Sequence, residues 1–180
     1  KYHGSNSDWT GFAKTLSETN IKKSLKRQKQ KKIIVIGYGG AAKAILYGLM
    51  TKEKQHTTNT IVFNRTKKRI NIPNFFQKTT KPLKKISESL DSAKLIINTT
   101  PKNIFTNLKI KKITNKLVVC DIVYKPKETD FLKHFKNPTA KIYGIDMLIN
   151  QAKPCFFKWF GFYPTNDKKL EQKIKRKISQ

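Results

Sequence analysis

The chain has 180 residues, and its 39 Lys and Arg residues against 11 Asp and Glu residues give a formal net charge of +28 at pH 7. This length fits one domain, or one domain with an appendage. No apolar run approaches the ~20 residues of a membrane helix, and no secretory signal pattern opens the chain. We therefore expect a cytoplasmic protein without a membrane partner, and the first residue, Lys1 rather than Met, predicts a fragment or a processed product.

Hydrophobic residues form 37% of the sequence and cluster in short runs, which favours a folded core over disorder. Lysine supplies most of the charge and is spread along the chain without a zinc-finger, RNP or helix-turn-helix pattern. Its codons are A/T-rich, as are those of the abundant Ile, Asn and Phe, so genome composition alone can produce this charge. We expect no specific nucleic-acid partner, only nonspecific attraction to polyanions at low salt.

The first predicted element is a helix from Asp8 to about Gln28, because apolar residues recur there at near-helical spacing, with Asp8 or Thr10 as its cap. A β-branched run at Lys32–Ile36 then predicts a strand that is buried on both faces of a parallel sheet. It is followed by a glycine-rich turn and a predicted helix at Ala41–Met50.

Strands and helices are predicted to alternate over the rest of the chain. The further strands are Thr60–Phe63, Leu95–Ile97 and Leu117–Cys120, and the further helices are Pro82–Leu90, Glu128–Phe135 and Ile145–Phe160. This alternation predicts an α/β fold, a doubly wound Rossmann-type NAD(P)-binding domain with a mainly parallel sheet. The lysine-rich residues 166–180 are predicted to be a basic terminal helix or a frayed tail.

The turn after the first strand matches the dinucleotide-binding pattern Gly37-x-Gly39-x-x-Ala42. Gly37 allows the tight turn, Gly39 lets a pyrophosphate approach the backbone, and Ala42 lets helix and strand pack closely. Gly40 and Ala41 open the predicted helix, whose free N–H groups favour negative charge. These residues are predicted to bind the cofactor phosphates.

The end of the second strand predicts which dinucleotide is bound. NAD-binding folds usually carry an acid here, but this sequence has Asn64-Arg65-Thr66 followed by Arg69. A guanidinium pairs with a 2′-phosphate in bidentate geometry. Arg65 and Arg69, at i and i+4, would converge on that phosphate from one helical face. We therefore expect NADP rather than NAD.

The only two cysteines, Cys120 and Cys155, do not have the spacing of metal ligands to each other or to a histidine. Both are predicted to be small buried side chains. We expect no metal site and no disulfide.

From about His3 to Pro164 the sequence resembles the shikimate dehydrogenase family, with seven motifs in the family's order. These are Gly4–Asp8, Ile36–Ala44, Asn64–Arg69, Ile97–Pro101, Asp121–Thr129, Gly144–Gln151 and Trp159-x-Gly161. The resemblance implies an NADP-dependent oxidoreductase that reduces 3-dehydroshikimate to shikimate in aromatic amino-acid biosynthesis.

The resemblance also implies individual roles. Asp8 matches the catalytic aspartate that holds the reacting hydroxyl and pairs with a lysine, and Tyr124 and Gln151 match positions that contact the substrate. The remaining implied positions contact the cofactor: the phosphate clamp of Asn64, Arg65, Thr66 and Arg69, the loop of Thr99, and the nicotinamide surroundings of Ile122, Gly144 and Met147.

The family begins with a separate substrate domain that carries the lysine, and no such segment is present in this sequence. We therefore expect residues 1–30 to link to that domain, in the same or another chain, residues 31–165 to form the NADP-binding domain with its closing helix, and residues 166–180 to follow. Alone, the chain is expected to bind NADP and to catalyse poorly or not at all.

Three other interpretations remain open at this stage. One is an NADP-binding remnant without turnover, and a second is a relative that uses quinate. The third is the NADP domain of glutamyl-tRNA reductase. Rossmann architecture alone does not separate these functions.

Overall fold

Six parallel strands form the centre of the computed structural model, which describes residues 3–18, 32–52, 59–73, 75–101, 104–108, 117–165 and 168–179. The strands are β1 (Lys32–Ile36), β2 (Thr60–Asn64), β3 (Lys81–Pro82), β4 (Ala93–Asn98), β5 (Val118–Asp121) and β6 (Ala140–Tyr143). Their order across the sheet is β3-β2-β1-β4-β5-β6, and every pair is parallel. This order confirms the predicted doubly wound Rossmann fold.

The helices lie on both faces of this sheet. They are α1 (Asp8–Glu18), α2 (Gly40–Lys52), α3 (Ser87–Leu90), α4 (Ile104–Asn107), α5 (Asp130–Lys133), α6 (Gly144–Phe160) and α7 (Lys168–Ser179), with a 3₁₀ turn at Leu83–Lys85. Helix α1 packs against both α2 and α6. Parallel strands buried on both faces are mostly apolar, and all six residues of β4 are buried, including the polar residues Lys94 and Asn98.

Alternation along the strands divides the core into two layers. Ile33 and Val35 of β1 face the cluster that includes Phe12 of α1, whereas Ile34 and Ile36 face the cluster that includes Phe105 and Phe131. Each β1 side chain therefore packs against one helical layer, as the period of two in a strand requires.

Most predicted elements are confirmed to within a few residues. The sequence analysis missed the edge strands β3 and β6 and the short helix α4. Two predicted helices are shorter than expected: Glu128–Phe135 is only Asp130–Lys133, and Pro82–Leu90 consists of the end of β3, the 3₁₀ turn and α3. The first helix ends at Glu18 in the structure, and the rest of its predicted range lies outside the described residues.

The lysine-rich C-terminal segment forms α7, so the helical alternative is correct for Lys168–Ser179. Lys153 of α6 forms an ion pair with Glu171 of α7, with 3.3 Å between Nζ and Oε1. Within the described part of the chain, no helix has the length and apolar character needed to span a membrane.

Candidate functional site

The glycine turn lies where β1 ends beside β4, the point at which the strand order reverses and ligands bind in this fold. Gly37 has a φ of 99°, which side chains rarely tolerate. A Cβ on Gly37 would also lie 2.5 Å from the Thr99 hydroxyl oxygen. Glycine at this position is therefore required by the protein itself, before any ligand is considered.

Gly39 and Gly40 have a different role from Gly37. Both are exposed, and a Cβ on either would meet no atom within 4 Å. Ala41 is half-buried, and Ala42 is fully buried between α2 and the sheet. The open backbone at the N-terminus of the 13-residue α2 therefore gives an anion room to reach free N–H groups.

Tyr38, between the two glycines, joins the turn to the segment after β2. It is 6% exposed, and its hydroxyl accepts a 3.0 Å hydrogen bond from the backbone N–H of Asn71. The Lys43 ammonium lies over the Tyr38 ring, 5.6 Å from its centroid. Tyr38 thus fixes the glycine turn relative to the arginine-bearing segment.

The four predicted clamp residues lie together at the end of β2. Arg65, Thr66 and Arg69 are exposed, while the Asn64 side chain donates a 2.9 Å hydrogen bond to the Thr66 carbonyl oxygen. Because the Asn64 side chain is held against the backbone of this turn, the clamp groups that remain for an anion are the two guanidinium groups and the Thr66 hydroxyl, and Lys67 and Lys68 between them are exposed as well.

The prediction that Arg65 and Arg69 share a helical face is wrong. Residues 65–69 form a bend, and Arg69 forms an isolated antiparallel bridge with Thr79. Hydrogen bonds to residues 78–80 occupy the backbone: Ile70 N–H donates to Lys78 and Thr80 N–H donates to Lys68. These cross-strand bonds compete with the i to i−4 bonds that a helix would need.

Thr99 is held at the end of β4 by two hydrogen bonds to one acceptor. Its backbone N–H and its hydroxyl donate to the Ile36 carbonyl oxygen at 2.9 and 2.6 Å. The predicted cofactor residue Thr99 therefore lies against the glycine turn, although its hydroxyl proton is used within the protein.

A buried polar network joins the ends of β4 and β5. Asp121 accepts hydrogen bonds from Asn98 Nδ2, Val123 N–H and the Thr129 hydroxyl, at 3.1, 3.1 and 2.6 Å. Thr129 in turn caps α5 by accepting from Leu132 N–H. Burial raises the pKa of Asp121 above its ordinary value, while these three hydrogen bonds lower it.

A cavity of about 140 Å³ opens beside this network, with Asn98, Lys125 and Asp130 in its lining. Phe131, which also lines it, belongs to the core layer opposite α1. Both carboxylate oxygens of Asp121 already accept hydrogen bonds within the protein. The network therefore joins several elements of the fold, and neither Asp8 nor Gln151 lines the cavity.

The positions predicted to surround the nicotinamide lie where β5 leads towards α6. A Cβ on Gly144 would lie 2.3 Å from the Ile122 carbonyl oxygen, so α6 begins in direct backbone contact with the loop after β5. Ile122 is half-buried, and Met147 is 8% exposed within the core layer that includes Cys120. Ile122 is therefore partly accessible, whereas Gly144 and Met147 are buried.

Asp8 is the first residue of α1, and it does not cap this helix. The Asn6 side chain accepts a 2.9 Å hydrogen bond from the Asp8 N–H, and the Thr10 hydroxyl donates to the Ser7 carbonyl oxygen. Among the described residues, the Asp8 carboxylate has no hydrogen-bond or ion-pair partner. This half-buried carboxylate therefore remains available for a ligand.

Gln151 lies on α6 beside the start of α1. The Ser7 hydroxyl donates to Gln151 Oε1 at 3.3 Å and lies 3.1 Å from the Cys155 sulfur. Because Ser7 precedes Asp8 directly, the backbone of Asp8 lies near the Gln151 side chain. Cys155 is half-buried and hydrogen-bonded rather than buried among apolar groups, so that prediction is wrong for Cys155 and correct for Cys120.

The remaining predicted substrate residue, Tyr124, is 46% exposed on the loop after β5. Its near neighbour Val123 is held by Asp121, and the same loop contacts Gly144 at the start of α6. Gln151 follows Gly144 by seven residues, or ~10 Å along the helix. The structure thus joins the Tyr124 loop and Gln151 through one rigid helix.

Sequence analysis missed the structural roles of Ser7, Tyr38 and the Asn98–Asp121–Thr129 network. One available signal was the pair Asn98 and Asp121 at the ends of two consecutive buried strands, because carboxyl ends of parallel strands meet at one edge. Nothing in the sequence spacing indicates that Ser7 meets Gln151, which is 144 residues away.

Known proteins resemble this chain over most of its length. The family model for shikimate / quinate 5-dehydrogenase matches residues 19–149. Shikimate dehydrogenase (NADP(+)) from Nitrosopumilus maritimus is 32% identical over 168 residues, which cover 88% of this chain and 59% of the relative. The chain therefore spans less than two thirds of the length of the curated relatives that it matches.

Solved structures show the same fold. A quinate dehydrogenase from Corynebacterium glutamicum in complex with NAD has a TM-score of 0.66 at 20% identity, covering 95% of this chain and 62% of that chain. A shikimate 5-dehydrogenase from Thermus thermophilus in complex with NADP(H) and shikimate has a TM-score of 0.65 at 23% identity, covering 96% and 62%.

Proposed function

Because this chain belongs to the shikimate / quinate 5-dehydrogenase family, we propose that it is the cofactor-binding part of an NADP-dependent dehydrogenase that interconverts shikimate and 3-dehydroshikimate. The observation that carries the proposal is the open N-terminus of α2 beside two exposed arginines at an end of β2 that lacks an acid. Physiologically, 3-dehydroshikimate, NADPH and a proton give shikimate and NADP⁺.

The glycine turn is the proposed pyrophosphate site. The space over Gly39 and Gly40 admits a phosphate, and the backbone from Gly40 to Ala41 supplies donors at the positive end of the helix dipole. Gly37 shapes the turn without needing the ligand. When bound, the cofactor supplies or accepts the hydride.

Arg65 and Arg69, with Asn64 and Thr66 in the same turn, are the proposed 2′-phosphate site. This segment is a bend followed by an isolated bridge rather than the predicted helix, and both arginines are exposed. Two forked cations near one dianionic phosphate favour NADP over NAD. In this proposal the positive charges of both arginines together select NADP over NAD.

On the substrate side, Asp8 supplies a carboxylate that accepts the proton of the reacting hydroxyl in a hydrogen bond. Gln151 and Tyr124 supply further donors and acceptors for ring hydroxyls. Thr99, Ile122, Gly144 and Met147 are proposed to form the protein surface next to the nicotinamide. The half-buried position of Asp8 partly shields it from water.

We further propose that residues 31–165 are the NADP domain, that residues 1–30 lead to it, and that a substrate domain in the same or another chain supplies the lysine partner of Asp8. An aromatic cluster at the end of α6 supports a docking domain. Its exposed members are Phe157, Trp159, Phe160, Phe162 and Tyr163. Phe157 stacks on Tyr163 with 4.6 Å between ring centroids, and the rings of Phe160 and Phe162 are tilted, 6.5 Å apart. Exposed apolar patches of this kind mark interaction surfaces.

The cofactor proposal is tested by fluorescence titration of the chain with NADPH and NADH. Wild type is expected to prefer NADPH, and Arg65→Ala or Arg69→Ala is expected to lower NADPH affinity about tenfold while leaving NADH affinity unchanged. Lys84→Ala, which removes an exposed charge from the 3₁₀ turn, is the matched control. Equal binding of both nucleotides by the wild type would refute the phosphate clamp.

Substrate choice is tested separately, by adding shikimate or quinate to the NADP-saturated chain and following both binding and NADPH formation. Shikimate binding is expected to weaken in Asp8→Asn, because an amide nitrogen replaces a carboxylate oxygen that accepts the hydroxyl proton. A preference for quinate would retain the family and replace the proposed substrate.

A further inference from the structure

Ser7 lies at the centre of a chain of three polar side chains that connects α1 with α6. Its hydroxyl oxygen is 3.3 Å from Gln151 Oε1, to which it donates, and 3.1 Å from the Cys155 sulfur. A serine hydroxyl has a single proton. Either atom could donate in the contact between Ser7 and Cys155; because the Ser7 proton goes to Gln151, we assign the thiol as the donor.

With these donors assigned, the oxygen and the nitrogen of the Gln151 carboxamide differ in their hydrogen bonding. Its oxygen is occupied by Ser7, whereas Nε2 has two N–H donors and no hydrogen bond to any of the described residues. Gln151 is half-buried, so its amide nitrogen is open to a ligand. The group that it can bind must be a hydrogen-bond acceptor.

The backbone of Gln151 is fixed as well as its side chain. A Cβ on Gly11 would lie 2.5 Å from Gln151 Cβ and 2.7 Å from its Cα and N, so α1 and α6 meet without an intervening side chain. On the neighbouring residue, Asn150 Nδ2 donates to Thr15 Oγ1 at 3.1 Å and to Glu18 at 2.8 Å. The position of Gln151 relative to α1 is therefore determined on two sides.

Resting on the function proposed above, we propose that Ser7, supported by Cys155, is a positioning residue that turns the Gln151 carboxamide so that Nε2 faces the substrate as a donor. Asp8, the next residue, supplies the complementary acceptor. The pair fits a polyhydroxylated ring, in which one hydroxyl donates to Asp8 and another oxygen accepts from Gln151.

The orientation is tested by NMR on the ¹⁵N-labelled 180-residue chain, with the Gln151 side-chain amide assigned from its loss in Gln151→Met. Ser7→Ala is expected to shift this amide pair, and Ser7→Thr, which keeps a hydroxyl, is expected to retain it near the wild-type position. Ser17→Ala is the matched control, because Ser17 is on α1 and its hydroxyl donates to Lys14. An unmoved Gln151 amide in Ser7→Ala would overturn the inference, provided that the rest of its spectrum is that of the folded chain.

The effect of the Gln151 orientation on substrate affinity is tested by titrating shikimate into the NADP-saturated variants. Ser7→Ala is expected to bind shikimate about five- to tenfold more weakly than wild type, and Ser7→Thr and Ser17→Ala nearly as well. NADPH affinity is expected to be equal in all four. Unchanged shikimate affinity in Ser7→Ala would overturn the positioning role.

Failure of the proposed function has a different signature. If wild type binds NADPH but not shikimate, the proposed substrate is wrong, and the Gln151 amide shift in Ser7→Ala still decides the orientation. If wild type binds neither, the cofactor proposal fails as well, and the same shift decides the orientation.

Discussion

The Asn98 side-chain amide donates a 3.1 Å hydrogen bond to Asp121, and this contact ties the end of β4 to the end of β5. The Thr129 hydroxyl donates to the other carboxylate oxygen of Asp121 while it caps α5. One buried carboxylate thus holds two strands, the loop that carries Tyr124 and the start of a helix.

Asp121→Asn is expected to lower the free energy of unfolding by about 1–3 kcal/mol, because an amide replaces an acceptor of three hydrogen bonds. The difference from wild type is expected to depend on pH. Burial raises the pKa of Asp121, so as pH rises above the ordinary carboxyl range the unfolded chain loses this proton first. Ionisation then favours unfolding, and wild type loses stability relative to the variant until pH exceeds the raised pKa.

Urea denaturation of both proteins between about pH 4 and pH 8 measures this dependence. Asp130→Asn is the control, since Asp130 is largely exposed and pairs with Lys133 on the same short helix. A constant difference between wild type and Asp121→Asn across this range would contradict the expected titration.

Gly11→Ala is expected to destabilise the protein by about 1–3 kcal/mol, although alanine favours helix by itself. The added Cβ would overlap the Gln151 backbone and force α1 away from α6. Gly4→Ala places the same methyl group in open space and is expected to have little effect. Thermal unfolding of the two variants distinguishes them, and equal melting temperatures would argue against close packing at Gly11.

Gly39→Ala is expected to separate cofactor binding from stability. Its Cβ meets no protein atom, so the melting temperature should stay near wild type, while NADPH affinity should fall at least about tenfold because the methyl group occupies the proposed phosphate space. Gly37→Ala, in contrast, should lose about 1–3 kcal/mol of stability because of its φ of 99° and its contact with Thr99. Full NADPH affinity in Gly39→Ala would exclude this turn as the phosphate site.

Tyr38→Phe removes the hydroxyl that accepts from Asn71 N–H and is expected to cost about 0.5–1.5 kcal/mol. Because this bond joins the glycine turn to the segment after β2, NADPH affinity is expected to fall more than NADH affinity. Tyr47→Phe is the control, since Tyr47 is half-exposed and contacts Trp9 through its ring. Equal losses for both nucleotides would show that Tyr38 does not act on the clamp.

The fold was largely predictable because it is indicated by patterns of neighbouring residues. A buried stretch of parallel strand is apolar, as in Ile33–Ile36 and Leu95–Ile97, and the glycine turn between strand and helix identifies the fold class. The two missed strands lie at the sheet edges. Lys81–Pro82 is short and exposed, and Ala140–Tyr143 is only partly buried, so neither carries an apolar run.

The wrong prediction that Arg65 and Arg69 share a helical face also has a physical cause. A spacing of four residues places side chains on one face only if the backbone is helical. Here residues 78–80 take the backbone hydrogen bonds of this segment, and nothing in the local sequence indicates that pairing.

The sequence by itself determined the four central strands with the helices between them, the glycine turn and the absence of an acid after β2, since each depends on neighbouring residues. Only the tertiary structure decided that Ser7 meets Gln151, that Asp121 joins Asn98 to Thr129, and that Tyr38 contacts Asn71. These contacts join distant segments, because folding brings together the ends of parallel strands and two crossing helices. No local sequence pattern indicates such tertiary contacts.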